Sequence, residues 1–305
     1  MAVINSSPLY INSLYQPIFL RSFRQSRIFG GVIGVTAFGE NEEAPTGADV
    51  NWMIKDVSPK GPGYGDTIQI DSMSALVAKQ IPIGVDVNVI GQSPTFSKKT
   101  VTMNQWFGVP VTIDNATDFF QRPDIVKNIG MDAMEALAQQ FEDSIIAIGQ
   151  SFTQFGGGAG AALTIAELNR LRSKIELDGV PVRKTGDLLT VVSPYAAVTL
   201  RAGLEHQLYG GVAGTQLTQG RIVTPMYDQV IVCSARLGAS GGATEGFTLG
   251  KESIQVALAF KPRMQTFNEP YKQTMTWDIL YGLAKLRDEA GYALNYDDTN
   301  NLTSF

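Results

Sequence analysis

The sequence predicts an α+β fold, and three stretches carry that reading. From Pro123 to Phe152, apolar residues recur at Val126, Ile129, Ala133, Leu137, Phe141, Ile145, Ile148 and Phe152. Steps of three and four place them on one face of a long helix. Between residues 61 and 113, apolar and polar residues alternate with the period of two that marks strands. From Tyr271 to Leu280 the same alternation returns, with Tyr271, Gln273, Met275, Trp277, Ile279 and Tyr281 on one face.

Taken in order, residues 1 to about 60 show no sustained periodicity and read as an extended arm. Within it, Arg21, Arg24 and Arg27 stand among Phe19, Leu20, Phe23 and Ile28. This is either an arm that docks on an acidic neighbour or nucleic acid, or the solvated face of one short helix. Gly61 to Asp66 reads as a turn and leads into the alternating Asp66–Asp71. Ile81, Ile83, Val85, Val87 and Val89 form a second alternating run, broken at Gly91–Pro94. Lys98 and Lys99 are expected to be exposed. A third run follows through Val101, Met103, Phe107, Val109, Val111 and Ile113, where Pro110 indicates an edge strand. A lone two-stranded excursion is marginally stable in water, so a neighbouring subunit is a candidate support.

Pro123 suits the first turn of the long helix. Asp124, Lys127, Asp132, Glu135, Gln139, Glu142 and Asp143 are expected on its polar side. Gly156, Gly158 and Ala161 have the spacing of a dinucleotide fingerprint, but they follow a helix rather than a strand and read as a hinge. Thr164 and Glu167 form a capping box for a helix running to about Leu177. Leu188–Val192 is continuously apolar and suits a buried strand, and Ser193-Pro194 opens a short helix. Gln229–Cys233 is a second buried-strand candidate, with Cys233 expected to be buried and inert. Gly238–Gly246 reads as a flexible loop, residues 247–260 as returning alternation, and 291–296 as a last short strand. Gly282 is expected to interrupt the strand that begins at Tyr271.

Composition narrows the function. The 305 residues carry a net charge of −5, with only 17% charged residues. An acidic chain lacks the basic patches that tight sequence-independent nucleic-acid binding needs. A charged share below the usual quarter points to a surface partly covered by partners. No apolar run reaches the ~18 residues of a transmembrane helix, so no membrane partner is expected. The start of the chain lacks the pattern of a signal peptide, and a single cysteine fits synthesis in a reducing cytoplasm.

Motifs of catalysis are absent. His206 is the one histidine, so no multi-histidine zinc site can be assembled. Gly246–Glu252 is similar to a phosphate loop but is one residue short, and Glu252 stands where a hydroxyl should bind magnesium. Catalytic, cofactor-binding and metal residues are therefore expected to be none.

The order of parts adds a resemblance. Gly65-Asp66-Thr67-Ile68 looks like the strand opening an extended loop, and Val111–Asn115 like its return strand. Leu189–Pro194 looks like an axial-domain strand and helix start. Tyr281-Gly282 with Arg287 looks like a terminal peripheral-domain strand. In this order, over about residues 60 to 295, the chain resembles the major capsid proteins of tailed bacteriophages, of the Hong Kong 97-type phage capsid fold. The resemblance implies an N-terminal arm (1–60), an extended β-hairpin loop with flanking strands (61–113) and a mixed α/β axial domain (166–260). The peripheral domain would take 114–165 and 261–305, with the spine helix at 123–152. It further implies a homo-oligomer of hexamers and pentamers that closes around a double-stranded DNA genome without sequence-specific binding. Scaffolding, portal and decoration proteins become candidate partners, in a virion made in the host cytoplasm. Arg21, Arg24, Arg27, Lys98 and Lys99 become candidate inter-subunit contacts. An encapsulin-like compartment shell and an α/β enzyme without familiar motifs are the alternatives.

Overall fold

A computed structural model describes residues 19, 54–56, 67–73, 78, 80, 83, 93–114, 123–158, 161–180, 182, 187–205, 229–237, 241–268 and 272–297. Arg21, Arg24, Arg27 and His206 lie outside the described residues. In chain order the elements are β1 (Ile54–Asp56), β2 (Thr67–Met73), β3 (Phe96–Thr102), β4 (Gln105–Asp114), α1 (Pro123–Gln150), β5 (Phe155–Gly157) and α2 (Ile165–Leu177). There follow β6 (Leu188–Val192), α3 (Pro194–Glu205), β7 (Gln229–Cys233), β8 (Gly241–Leu249), β9 (Ile254–Asn268), β10 (Lys272–Lys285) and β11 (Gly291–Asp297). One sheet has the order β1-β9-β10-β4, a second β5-β11-β8-β6-β7, and β2 pairs with β3 alone.

The 28-residue α1 spans about 42 Å and links the two larger sheets. Its buried stripe runs through Ala133, Met134, Leu137, Ala138, Phe141, Ile145 and Ile146. Against it pack Met275, Trp277, Ile279 and Tyr281 of β10, Ile254, Val256 and Leu258 of β9, and Leu189, Val191, Phe247, Leu249 and Ala293 of the second sheet. The opposite face of that second sheet buries Leu188, Val192, Tyr292, Leu294 and Tyr296 against α2 and α3. Covered on both faces, β6 has no polar side to show, which is why Leu188–Val192 reads as an uninterrupted apolar run. Thr190 is its single polar residue. It donates to Gln229 Oε1 (2.7 Å) and bonds Thr248 Oγ1 (2.9 Å), while Gln229 Nε2 donates to the Leu168 carbonyl (2.7 Å). The capping box is present: Thr164 N donates to Glu167 Oε2, and Glu167 N to Thr164 Oγ1.

Several expectations are corrected. Glu142 is buried, 2% exposed. It sits one step from Phe141 on the stripe, and the turn after β7 covers it, with Ser234 Oγ donating to Glu142 Oε1 at 2.7 Å. A stripe wide enough to face two sheets takes in a position that a single-sheet face would leave wet. Cys233 is exposed, because β7 is an edge strand and the side chain at its end turns outward. Gly156 and Gly157 belong to strand β5, parallel to β11, and not to a hinge. A glycine tract has no side-chain period, and its pairing is decided by the neighbouring strand. Likewise β8 begins at Gly241, inside the stretch read as a loop. At Ile83, the one described residue of its alternating run, the backbone makes a turn instead of a strand. β10 passes straight through Gly282. The expected edge position of Pro110 is found, since β4 closes one side of its sheet.

Candidate functional site

Three features lie around the first sheet, two on its surface and one in its core. The first is the β2–β3 hairpin. Its register pairs Asp71 with Lys98, Ile70 with Lys99 and Ile68 with Val101. Alternation along β3 turns Lys99 and Val101 toward the body and Phe96 and Lys98 away. Val101 is fully buried, whereas Phe96 is 65% exposed. The root of the hairpin sits on β10 at Gly282, where an added Cβ would lie 2.2 Å from the Thr102 carbonyl oxygen. Only a glycine admits that backbone crossing. Lys99 Nζ donates to the Leu286 carbonyl, pinning the hairpin near the far end of β10. Of the two predicted lysines, Lys98 is exposed and Lys99 is half-buried.

The second feature is the sheet face turned away from α1. There Arg263 Nε donates to Asp278 Oδ1 (3.1 Å), Arg263 NH2 to Oδ2 (3.3 Å), and Trp106 Nε1 to Oδ2 (3.1 Å). The Asp278 carboxylate is buried and balanced by this fork. The Arg263 guanidinium lies 3.7 Å from the centre of the Phe260 ring. Held by its indole N–H, Trp106 stands 68% exposed, and Phe267 is 55% exposed. Between them runs a groove of ≈360 Å³ over Gly108, Pro110, Gln265 and Thr276. An exposed apolar patch of this kind is the usual mark of an interaction surface. The signal was in the sequence: Trp106 alternates against the Phe107–Val109–Val111 face, which puts a large aromatic where polar residues belong.

The third is Phe19, from the arginine-bearing segment. It is fully buried, edge-to-face with Trp277 at 6.1 Å. Its ring rests on α1 at Gly130, where a Cβ would come within 2.3 Å of it. At Phe19 the chain is thus anchored in the core, a role that an isolated phenylalanine in an aperiodic stretch does not announce.

Among the described residues, no group of three or more His, Cys, Asp and Glu is placed to hold a metal ion. Lys251 and Glu252 make a turn into strand β9, not the start of a helix, so the similarity to a phosphate loop fails on context as well as spacing.

No protein-family model matches the chain, and no curated protein matches its sequence. Solved structures do match. The capsid of Ralstonia phage GP4 matches with a TM-score of 0.64 at 14% identity, over 85% of this chain and 88% of that one. The capsid of cyanophage P-SCSP1u matches at 0.61 and 13% identity, over 82% and 88%. The capsid of cyanophage Pam1 matches at 0.58 and 13% identity, over 89% and 93%. The chain has the α+β phage capsid fold.

Proposed function

We propose that this chain is a major capsid protein, the structural subunit of an icosahedral shell around a double-stranded DNA phage genome. The observation that carries the reading is a match over most of this chain and most of each phage capsid chain, with no large part of either left over. The surfaces support it: a hairpin that projects beyond the subunit's own core and a bare aromatic groove are features of a protein completed by copies of itself. In this reading residues 1–60 are an arm, 61–113 an extended loop with its strands, 114–165 with 261–305 a peripheral domain, and 166–260 an axial domain. The subunits form hexamers and pentamers, with scaffolding, portal and decoration proteins as partners, and the chain carries no catalysis. Lys98 and the Arg21, Arg24 and Arg27 cluster contact neighbouring subunits or packaged DNA.

Electron microscopy of the purified protein, alone and coexpressed with phage scaffolding protein, tests this. Closed shells or polymorphic sheets are expected. Strict monomers by light scattering under both conditions would overturn it.

A further inference from the structure

β4 has β10 on one side and no strand on the other. Pro110 fixes which backbone groups face the open side. A strand holds proline where its missing N–H points out of the ladder, so the amides and carbonyls of Trp106, Gly108 and Thr112 point outward with it. The spacing at Gly108 agrees. A Cβ built there lies 3.6 Å from Asp278 Cβ, as in a non-hydrogen-bonded pair, whose side chains stand closer. Among the described residues, no hydrogen bond reaches these outward groups. The side chains of Trp106, Gly108, Pro110 and Thr112 form an exposed row without charge. Open sheet edges are usually guarded by lysine, a bulge or a covering segment, and here Pro110 alone blunts the edge. The subunit itself does not require Gly108. Its φ is not positive, and an added Cβ would meet nothing closer than 3.5 Å. A strand glycine that its own chain does not need is often where another backbone approaches closely.

We infer that the free edge of β4 is a contact between two copies of this chain, paired antiparallel about a two-fold axis through Gly108. The occupant is a second copy because the row read backwards complements the row read forwards. Glycine meets glycine at the centre, and each Trp106 indole meets the partner's Pro110 ring. The Gly108 N–H donates to the carbonyl of the partner's Gly108, and the Trp106 N–H to the carbonyl of the partner's Pro110. Each bond is made twice by symmetry. No charge in the row opposes its copy, and the missing side chain at Gly108 lets the two backbones and the two indoles close together. An edge this short buries far less than the ~1,200 Å² of a stable free interface. One such contact is therefore weak alone and is held where many copies are gathered. The inference goes beyond the shell reading by naming one two-fold contact, and it does not require a closed shell.

Thiol crosslinking of the full-length chain tests it. In a Cys233→Ser background, Gly108→Cys at high protein concentration is treated with a bismaleimide of two-carbon linker. Asp132→Cys, an exposed position on α1, is the collision control. The Gly108→Cys chain is expected to form covalent dimers about tenfold faster than the control, and adding Trp106→Ala should cut that rate about threefold. Hydrogen exchange of the unsubstituted chain, read on peptides covering 105–112, should slow at the outward amides as concentration rises. Bridging at Gly108→Cys no faster than at Asp132→Cys would overturn the contact, and so would exchange independent of concentration. Shells that form without a bridge at Gly108→Cys would overturn this contact and leave the shell reading standing. A bridge in a chain that builds no shell would support the contact alone.

Discussion

The α1 body and the β2–β3 hairpin both carry large apolar side chains and leave them in opposite conditions. Along α1 the buried stripe meets two sheets, and its large side chains find partners within the chain: Phe141 lies edge-to-face with Tyr281 at 5.1 Å, and the Tyr281 hydroxyl bonds Ser144 Oγ at 2.8 Å. Along β3 only the root is covered, and Phe96 is left exposed. The difference separates two uses of the same residue types. Apolar side chains on α1 hold the core together, whereas Phe96, beyond the covered root of the hairpin, contributes little to it.

Paired substitutions break this contrast if it is wrong. Phe141→Ala should lower subunit stability by about 3–5 kcal/mol, from lost burial and the cavity left behind. Phe96→Ala, the same change on the hairpin, should stay within about 0.5 kcal/mol. Thermal melting of the two variants decides it, and equal shifts would mean that the hairpin is part of the core. Next in size is the Glu142 site. Ser234→Ala strips the buried carboxylate of a hydroxyl donor and should cost about 1.5–3 kcal/mol by denaturant titration. A shift within error would return Glu142 to the solvated side of the helix.

Alkali should loosen the body by a route the hairpin lacks. Burial pushes the Tyr281 hydroxyl up to about 12, outweighing its bond to Ser144, with the Asp143 charge adding to the rise. Tyr292 is raised as well, by burial and by its bond to the Asp178 carboxylate. Up to about pH 10 each tyrosine is neutral in both states and costs nothing. Above it the unfolded chain releases protons that the folded chain keeps, so stability falls as pH rises toward the folded values. For Tyr281 the slope should approach about 1.4 kcal/mol per pH unit between pH 10 and 12. Urea midpoints across that range measure it, and Tyr281→Phe should flatten the part due to this residue. The smallest effect on folding is expected from Arg21, Arg24 and Arg27. Replacing all three with Ala should move the melting temperature hardly at all if, as proposed, their partners lie outside the chain, where surface charge pairs are worth about 0–1 kcal/mol each. It should reduce particle yield in a salt-dependent way. A triple variant that unfolds, or assembles with normal yield at every salt concentration, would remove the arm from assembly.

What could be read in the sequence follows from which contacts are local. The α1 stripe, the Thr164–Glu167 capping box, the Leu188–Val192 strand and the Met275–Tyr281 face are set by neighbours three, four or two residues away, and each is found in the structure. Errors came where a distant element decides. Glu142 is buried by a turn 92 residues later in the chain. Gly156–Gly157 becomes a strand because β11 runs beside it. Gly282 looked like a break because its purpose, room for the crossing at Thr102, belongs to another strand. The candidate site was partly visible: Lys98 and Lys99 stood out, but their division into one exposed and one anchored side chain depends on the Leu286 carbonyl.

The hydroxyl of Thr190, with Gln229 and Thr248, has a consequence for how the chain reaches this state. The three residues come from β6, β7 and β8, and Thr190 and Thr248 are 58 positions apart. A central sheet joined over such separations forms slowly, because loop closure must precede the pairing that rewards it. Slow pairing gives time for wrong registers. Among valines and leucines a strand slipped by two residues would bury nearly as much apolar surface as the right one. A slipped β6 would instead leave polar groups buried without partners, including the Gln229 amide that should also bond α2 at Leu168. The network therefore penalises near-miss registers of the central sheet.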